Sequence, residues 1–328
     1  MTAATVEAAV PTEKPRVASF RVLLSLFAIV PICLALAGWD RLQGGDLRRH
    51  LPSHPDQVIF FTLVFNLPHV VASHLVLFFD REYVLHYQRW IGIAAFLTTV
   101  PVIATFLVFG ERGGQFLVFG VTLWHVIGQQ AGMAGGLLRT PHWSFPTWKY
   151  LLTAGGVLMS LAHPDLRMLG LKTHFWLALV GASLLLPTTM LAIWLTLRSK
   201  SGLARSYLWA NQLMVLSIAL FLAWGYPIFA ALTIRVVHDL TALYVYSVHD
   251  QNRNRPERKN LLHRLLRPIP TGAVTVVVAM GVAFLLTKVL PGTLSLLLIG
   301  LVSGMHYVLE AVTWRSKTPH RAHLSFGV

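Results

Sequence analysis

The sequence has few charged residues. They make up 12% of its 328 residues, whereas hydrophobic residues make up 55% and the mean hydropathy is +0.61. A soluble domain usually carries about 25% charged residues. The chain therefore has too little charge to cover a water-facing surface of ordinary composition, and this excludes soluble domains.

Cysteine is also nearly absent. The single cysteine, Cys33, lies inside a hydrophobic run. One cysteine cannot form a disulfide within the chain or supply a Cys-based zinc or iron–sulfur site. Histidine, in contrast, occurs 15 times, so any metal site in this chain is expected to use imidazole ligands.

The apolar residues form long continuous runs. Each run is about 20 residues long, which is the length that a helix needs to cross ~30 Å of hydrocarbon, and none has the alternation of a membrane β-strand. We predict an all-α, polytopic transmembrane bundle in which residues 19–315 form one membrane domain between polar cytoplasmic tails at 1–18 and 316–328. About ten spans are predicted, at 19–39, 58–79, 90–109, 115–138, 148–162, 173–197, 205–224, 227–250, 272–290 and 292–314.

The net charge of +14 predicts the topology. Lys and Arg concentrate in cytoplasmic loops. With ten spans, nineteen of the 27 basic residues fall on the side of both termini and seven on the other. We therefore expect both termini in the cytoplasm and a multi-pass protein of the bacterial inner membrane. The basic loops would face anionic lipids, and no nucleic-acid partner is expected.

Four spans carry a histidine near their middle. His69, His125, His238 and His306 lie 11, 10, 11 and 14 residues from the predicted outer ends of their helices. All four helices run in the same direction in the predicted topology, so the histidines lie within about 6 Å of one another in depth. Because polar groups at mid-membrane are costly, we predict that these four histidines bind one metal ion.

Polar residues three or four positions away share a helix face with these histidines. They are Asn66 and Ser73 beside His69, Gln129 beside His125, Arg235 beside His238, and Glu310 beside His306. Gln129 and Glu310 are expected to orient the imidazole rings. Arg235 either neutralises an anionic oxygen intermediate or pairs with Asp239.

Other histidines and Asp239 are weaker candidates. Asp239 points about 100° away from His238 around the helix, and His249 lies about 16 Å further along it. His74 is separated from His69 by about 140°. His320 and His323 are expected to be solvated in the tail, and His263 to lie near a membrane boundary.

The ligand type and the surroundings indicate a reaction class. Imidazole with nearby carboxylate suits Fe(II), Zn, Cu or Ni. The spans are rich in Phe, Leu, Val and Trp, which favours a lipophilic substrate that arrives from the bilayer. Dioxygen partitions readily into hydrocarbon, whereas water does not. We therefore predict a non-haem Fe(II) oxygenase that uses O2 as co-substrate.

The motifs resemble those of the Brp/Blh membrane proteins, the β-carotene 15,15′-dioxygenases. The resemblance is carried by Leu67-Pro68-His69, Trp124-His125, the segment 223–227 that leads to Val237-His238, and Met305-His306. The intervals of 56, 113 and 68 residues between the four histidines are also similar. The resemblance implies the helical fold, a site for iron and a carotenoid- or isoprenoid-like substrate, as in a divergent relative.

The third motif departs from that family. The family pairs two histidines four residues apart, but Ala242 stands four residues after His238. By the resemblance, His306, His249 or Asp239 would take the place of that ligand.

Three other functions stay open. A membrane lipid hydroxylase or desaturase would also use iron, but such enzymes carry closely spaced histidine pairs. A haem protein would use two histidines. A transporter, in which the histidines relay protons or metal ions, would need polar residues at several depths, whereas these spans are polar mainly at one level.

Overall fold

The computed structural model describes residues 14–52, 64–65, 67–138, 143–162, 171–255, 257–290, 292–315 and 317–327. In this part the chain is almost entirely helical. The elements are β1 (Val17–Ser19), α1 (Phe20–Leu42), α2 (Asp46–His50), α3 (Pro68–Phe78), α4 (Arg81–Ala134), α5 (Ser144–Leu161), α6 (Leu171–Arg198), α7 (Gly202–Trp224), α8 (Pro227–Arg253), α9 (Leu261–Leu265), α10 (Thr271–Val289), α11 (Gly292–Thr313), α12 (Pro319–Ala322) and β2 (Ser325–Gly327).

The helices confirm the predicted helical fold and agree with a multi-pass membrane protein. Seven of those in the described residues are long and apolar enough to cross a membrane. One of them, α4, has 54 residues and contains the third predicted span and most of the fourth. It breaks at Gly110, whose φ of 68° and ψ of −169° are readily adopted only by glycine. The second predicted span lies partly outside the described residues, and the number of ten spans stays a prediction.

The helix α4 begins earlier than the sequence suggested. It starts at Arg81 rather than at residue 90, because the side chain of Asp80 accepts a hydrogen bond from the backbone N–H of Glu82 and caps the first turn. The polar residues before the apolar run were read as a loop, but they form the amphipathic first turns of this helix.

The central helix of the bundle is α8. In its apolar window 78% of the residues are buried, compared with 17–50% in the other six candidate spans. It packs against α3, α4, α7 and α10. The turn before it is tight, because Gly225 adopts a left-handed conformation after α7 and Pro227 begins α8. Because α8 has neighbours on most sides, its polar residues face protein rather than lipid.

The buried apolar side chains form two large clusters. One joins α1, the second part of α4, α5, α6, α7 and the beginning of α8. The other joins α3, the beginning of α4, the rest of α8, α10 and α11. The four histidine-bearing helices, α3, α4, α8 and α11, are therefore drawn from both clusters.

Both ends of the described chain lie at one end of the bundle. The strands β1 and β2 are parallel, with Val17 opposite Ser325. The Asn252 amide, near the end of α8, donates hydrogen bonds to the carbonyls of Arg16 and His323. Residues 14–18 and 317–327 of the predicted tails are thus folded against the helices. Which side of a membrane this end faces stays a prediction.

Helices α3, α8 and α11 run in the same direction. The Asn260 amide, shortly after α8, donates to the carbonyl of Leu75 near the end of α3. Helix α11 ends just before α12 and β2, which pack at the same end. The histidines of these helices can therefore lie at one level.

Candidate metal centre

The structure brings the four predicted histidines together. His69 follows Pro68, the first residue of α3, and His125, His238 and His306 lie within α4, α8 and α11. The ring centroids form a closed circuit, at 4.8 Å for His69–His238, 5.3 Å for His238–His125, 5.0 Å for His125–His306 and 5.1 Å for His306–His69. The side chain of His125 is 12% exposed, and the other three are almost fully buried.

Two of the rings face each other through their Nε2 atoms. The distance from His69 Nε2 to His238 Nε2 is 3.2 Å. Two imidazole nitrogens that bind one ion at about 2.0–2.1 Å in a tetrahedral arrangement lie about 3.3 Å apart. The separation therefore suits two ligands of a shared ion.

The contacts of Ser73 favour one tautomer of His306. The hydroxyl of Ser73 lies 2.7 Å from the carbonyl of Val70, to which it can donate, and 2.6 Å from His306 Nδ1. With its proton directed to Val70, Ser73 accepts from the Nδ1–H of His306, which leaves Nε2 as an acceptor. This buried Nε2 has no hydrogen-bond partner among the described residues and lies 3.6 Å from Glu310 Oε2. His306 Nε2 and Glu310 Oε2 are then two acceptors that face each other in a buried site, and a cation between them would stabilise this arrangement.

The position of Ser73 corrects the sequence analysis. Ser73 was assigned to His69, because it lies four residues later on the same helix. It contacts His306 instead, since α11 packs along this face of α3 and brings its ring to the hydroxyl.

Asp239 belongs to the site, although its angular separation from His238 made it a weaker candidate. Its Oδ1 lies 2.9 Å from His69 Nδ1, and its Oδ2 lies 3.1 Å from Arg235 Nε. Asp239 points away from His238 around α8, and in this direction its carboxylate reaches the ring of His69 on α3. A carboxylate can only accept, so this contact favours a proton on Nδ1 of His69 and directs Nε2 inward. Arg235 pairs with Asp239, one of its two predicted roles.

Glu310 lies on the other side of the histidine circuit. Its Oε2 is 3.2 Å from His125 Nε2 and accepts a 2.7 Å hydrogen bond from Gln129 Nε2. The hydroxyl of Tyr246 donates to Oε1. The structure therefore places the predicted residues Glu310 and Gln129 together, beside His125 and His306. Asn66 lies outside the described residues.

Sequence analysis missed Tyr246 and Tyr307. Tyr246 lies seven residues after Asp239, on the same face of α8 two turns later, and this spacing could have identified it. The ring of Tyr307 stacks on His125, with centroids 4.4 Å apart, and its hydroxyl lies 2.6 Å from Thr122 Oγ1. Tyr307 directly follows His306 in the sequence, and this position could have identified it.

Two nearby histidines stay outside the circuit. His74 Nε2 lies 2.9 Å from the carbonyl of Val302 and can donate to it, and the His74 ring is 6.4 Å from that of His306. His249 lies further along α8 in a separate group of buried residues. That group, the Asp250 cluster, consists of Tyr83, His249, Asp250, His263 and Thr275.

The Asp250 cluster is a dense hydrogen-bond network. Asp250 Oδ1 lies 3.2 Å from His249 Nδ1, and Oδ2 lies 3.3 Å from His263 Nε2. Thr275 donates to Oδ2, and the hydroxyl of Tyr83 lies 3.0 Å from His249 Nε2. The network joins α4, α8, α9 and α10.

One histidine near this cluster corrects the sequence analysis. His320 was expected in solvent, but it is 2% exposed. His263 is also buried, in the short helix α9 between α8 and α10. The aromatic rings of Tyr83 and His249 stack on His320, with centroids 3.9 and 5.3 Å away. The folded carboxyl-terminal segment buries His320, which the linear sequence did not indicate.

A narrow cavity lies beside the candidate metal centre, with room for about one water molecule. Its polar and aromatic lining includes Ser73, His74, Tyr246, Glu310, Trp314 and His320.

The donor atoms fit a divalent transition-metal ion. His69, His238 and Asp239 form one group that could hold a metal ion, and His125, His306 and Glu310 form another. Two histidines and one carboxylate are the ligands of many non-haem Fe(II) oxygenases. Comparison of the chain with protein-family models, with curated proteins and with solved structures finds no match.

Proposed function

We propose that the chain is an integral-membrane, non-haem iron oxygenase. It would use O2 to oxidise a lipophilic, carotenoid- or isoprenoid-like substrate or to cleave one of its double bonds. Fe(II) would be held by His69, His125, His238 and His306. The observation that carries this proposal is the closed circuit of four buried imidazoles, in which His306 Nε2 faces the carboxylate of Glu310 with no donor between them.

The surrounding residues have separable tasks in this proposal. Bound Fe(II) would supply the electrons that activate O2. Ser73 and Asp239 contact the Nδ1 atoms of His306 and His69, and protons held on these atoms would leave both rings with an acceptor nitrogen directed inward. Arg235 balances the charge of Asp239. Gln129 and Tyr246 fix the carboxylate of Glu310.

The surface beside His125 supports a lipophilic substrate. His125 is the most exposed of the four imidazoles, at 12% of its side chain. The preceding residue, Trp124, is 46% exposed, and Val121, which shares a helix face with Trp124 and His125, is 42% exposed. A substrate dissolved in the bilayer would reach the centre along this apolar face of α4. The resemblance to the Brp/Blh dioxygenases supports the same substrate class.

The same proposal includes the finer topology. Ten spans with both termini in the cytoplasm of a bacterial inner membrane agree with the charge distribution and with the adjacent positions of β1 and β2.

The experiment compares wild type, His125→Ala and a control, His50→Ala, whose ring lies on the exposed helix α2. Purified wild type and the control should contain iron, and carotenoid-producing cells that express them should lose pigment only with O2. His125→Ala should remain folded and inserted in the membrane but lose both properties. Undiminished iron in His125→Ala, or wild type without iron, would contradict the proposal.

The second candidate is a proton or metal-ion transporter. It is favoured by the Asp250 cluster, because this cluster adds a second level of buried polar residues to α8, where sequence analysis expected only one. Substrate counterflow across sealed vesicles without chemical turnover would support transport, whereas O2-dependent conversion in the same vesicles would support the oxygenase.

A further inference from the structure

The two carboxylates of the candidate metal centre occupy different positions. Asp239 Oδ1 lies 2.9 Å from His69 Nδ1 and 3.9 Å from His238 Nε2. Glu310 Oε2 instead lies 3.2 Å from His125 Nε2 and 3.6 Å from His306 Nε2, among the nitrogens that face inward. Glu310 therefore lies within 3.6 Å of two inward-facing nitrogens, whereas the shortest contact of Asp239 is with Nδ1 of His69 and its contact with an inward-facing nitrogen is longer.

We infer that Glu310 is a direct ligand of the ion, bound through Oε2 beside the four imidazoles, and that Asp239 acts only through His69. This inference rests on the proposed metal centre and deepens it. Glu310 was predicted from the sequence only to orient an imidazole ring.

The contacts of Glu310 suit a ligand that binds through one oxygen. Oε1 accepts the hydrogen bond from Tyr246, and Oε2 accepts that from Gln129. An ionised carboxylate oxygen has two lone pairs, so Oε2 keeps one for the ion. The two neutral donors fix the side chain from α8 and α4 while Glu310 itself lies on α11. The carboxylate is thus held in place by two other helices.

The formal charges favour one ion at this centre. Arg235 and Asp239 offset each other, and the four imidazoles are neutral when they act as ligands. Glu310 then leaves one buried negative charge, and its hydrogen-bond donors Gln129 and Tyr246 are uncharged. One divalent ion brings the formal charge to about +1, whereas two would bring it to about +3 in a buried site, which is costly.

The test compares Glu310→Gln with its matched control Asp239→Asn, each in the full chain in detergent. Both variants replace a buried carboxylate by an amide of similar size. Co(II) is added as the probe, and its visible absorption and X-ray absorption report the donor atoms. Size-exclusion profiles and thermal denaturation establish that each variant is folded.

Glu310→Gln should change the Co(II) absorption bands and weaken Co(II) binding about 100-fold or more. Asp239→Asn should keep the wild-type bands, with binding weakened about 10-fold, as for a residue that orients a ligand. Glu310→Asp provides a second variant, in which the carboxylate is kept but withdrawn by one methylene, and it should also change the bands.

Wild-type bands in both Glu310 variants would overturn the inference while leaving the four-histidine centre intact. Wild-type protein that binds neither Co(II) nor Fe(II) would overturn the metal centre itself. A stoichiometry of two ions per chain would contradict the single centre.

Discussion

Two groups of buried polar residues lie along α8 and use similar side chains, but their hydrogen bonds differ. In the Asp250 cluster, both carboxylate oxygens face donors, from His249 on one side and from His263 and Thr275 on the other. In the candidate metal centre, Gln129 and Tyr246 also donate to the carboxylate of Glu310. The Nε2 atoms of His125 and His306, however, lie 3.2 and 3.6 Å from Glu310 Oε2 without a hydrogen-bond partner among the described residues. The difference teaches that buried histidines and carboxylates favour a metal site where the ring nitrogens face the carboxylate without a hydrogen bond.

The two groups are therefore expected to respond differently to substitution. A network in which the carboxylate is satisfied joins helices, so its loss should reduce stability. Ring nitrogens that face a carboxylate without a hydrogen bond are suited to bind a cation, so their loss should reduce metal affinity.

The largest expected effect is on metal binding. His306→Ala removes a ligand and should reduce Fe(II) affinity at least about 100-fold, while His249→Ala in the Asp250 cluster should leave affinity within about threefold of wild type. Equilibrium dialysis against a metal buffer measures both. Equal losses in the two variants would mean that the groups do not have separate roles.

The next largest effect is on stability. Asp250→Asn replaces an acceptor by a group that also carries donors, so the N–H groups of His249 and His263 lose part of their charge-assisted bonding. We expect a loss of about 2–4 kcal/mol in the free energy of unfolding, measured by denaturation in detergent, with unchanged iron content. Thr275→Val, which removes one donor to the same carboxylate, should have a smaller effect. Unchanged stability of Asp250→Asn would contradict the role of the cluster in joining helices.

A smaller effect is expected from Ser73→Ala. The substitution removes the acceptor for the Nδ1–H of His306 and should lower Fe(II) affinity about 10-fold. Ser73→Thr, which keeps the hydroxyl, should restore most of it. If the alanine variant bound iron as tightly as wild type, the tautomer of His306 would not depend on Ser73.

The smallest effect concerns pH and the carboxyl-terminal segment. Burial lowers the pKa of His320 well below its usual 6.5 and that of His323 to about 4. When residues 317–327 are detached from the helices, His320 and His323 bind protons below about pH 6.5. When the segment is packed against the helices, the two histidines bind protons only at lower pH. Packing of the segment is therefore most stable above about pH 6.5 and weakens as pH falls. Nearby Asp250 opposes this effect, and Arg253 reinforces it.

Amide hydrogen exchange of residues 317–327, corrected for intrinsic rates, should therefore show less protection at pH 5 than at pH 7.5. His320→Phe should reduce this difference. Protection that rises as pH falls would contradict the assignment.

Much of the helical architecture could be predicted, because long apolar runs leave a chain in lipid few alternatives to helices. The beginning of α4 could not, because a cap at Asp80 extended it through polar residues. The positions of Ser73 and Asp239 were also missed. Spacing along one helix identifies residues that share a face, but it does not show which side chain of a neighbouring helix lies opposite.

The sequence alone determined that this chain is helical and multi-pass, and it placed four histidines at similar depths, since hydropathy and helical rise depend only on the order of residues. Tertiary structure decided the rest. Helix packing brings the four imidazole rings together and places Ser73 beside His306. The folded carboxyl-terminal segment places His320 in a buried position. These contacts join residues that are far apart in the sequence, 233 positions in the case of Ser73 and His306, and helix packing decides which of them meet.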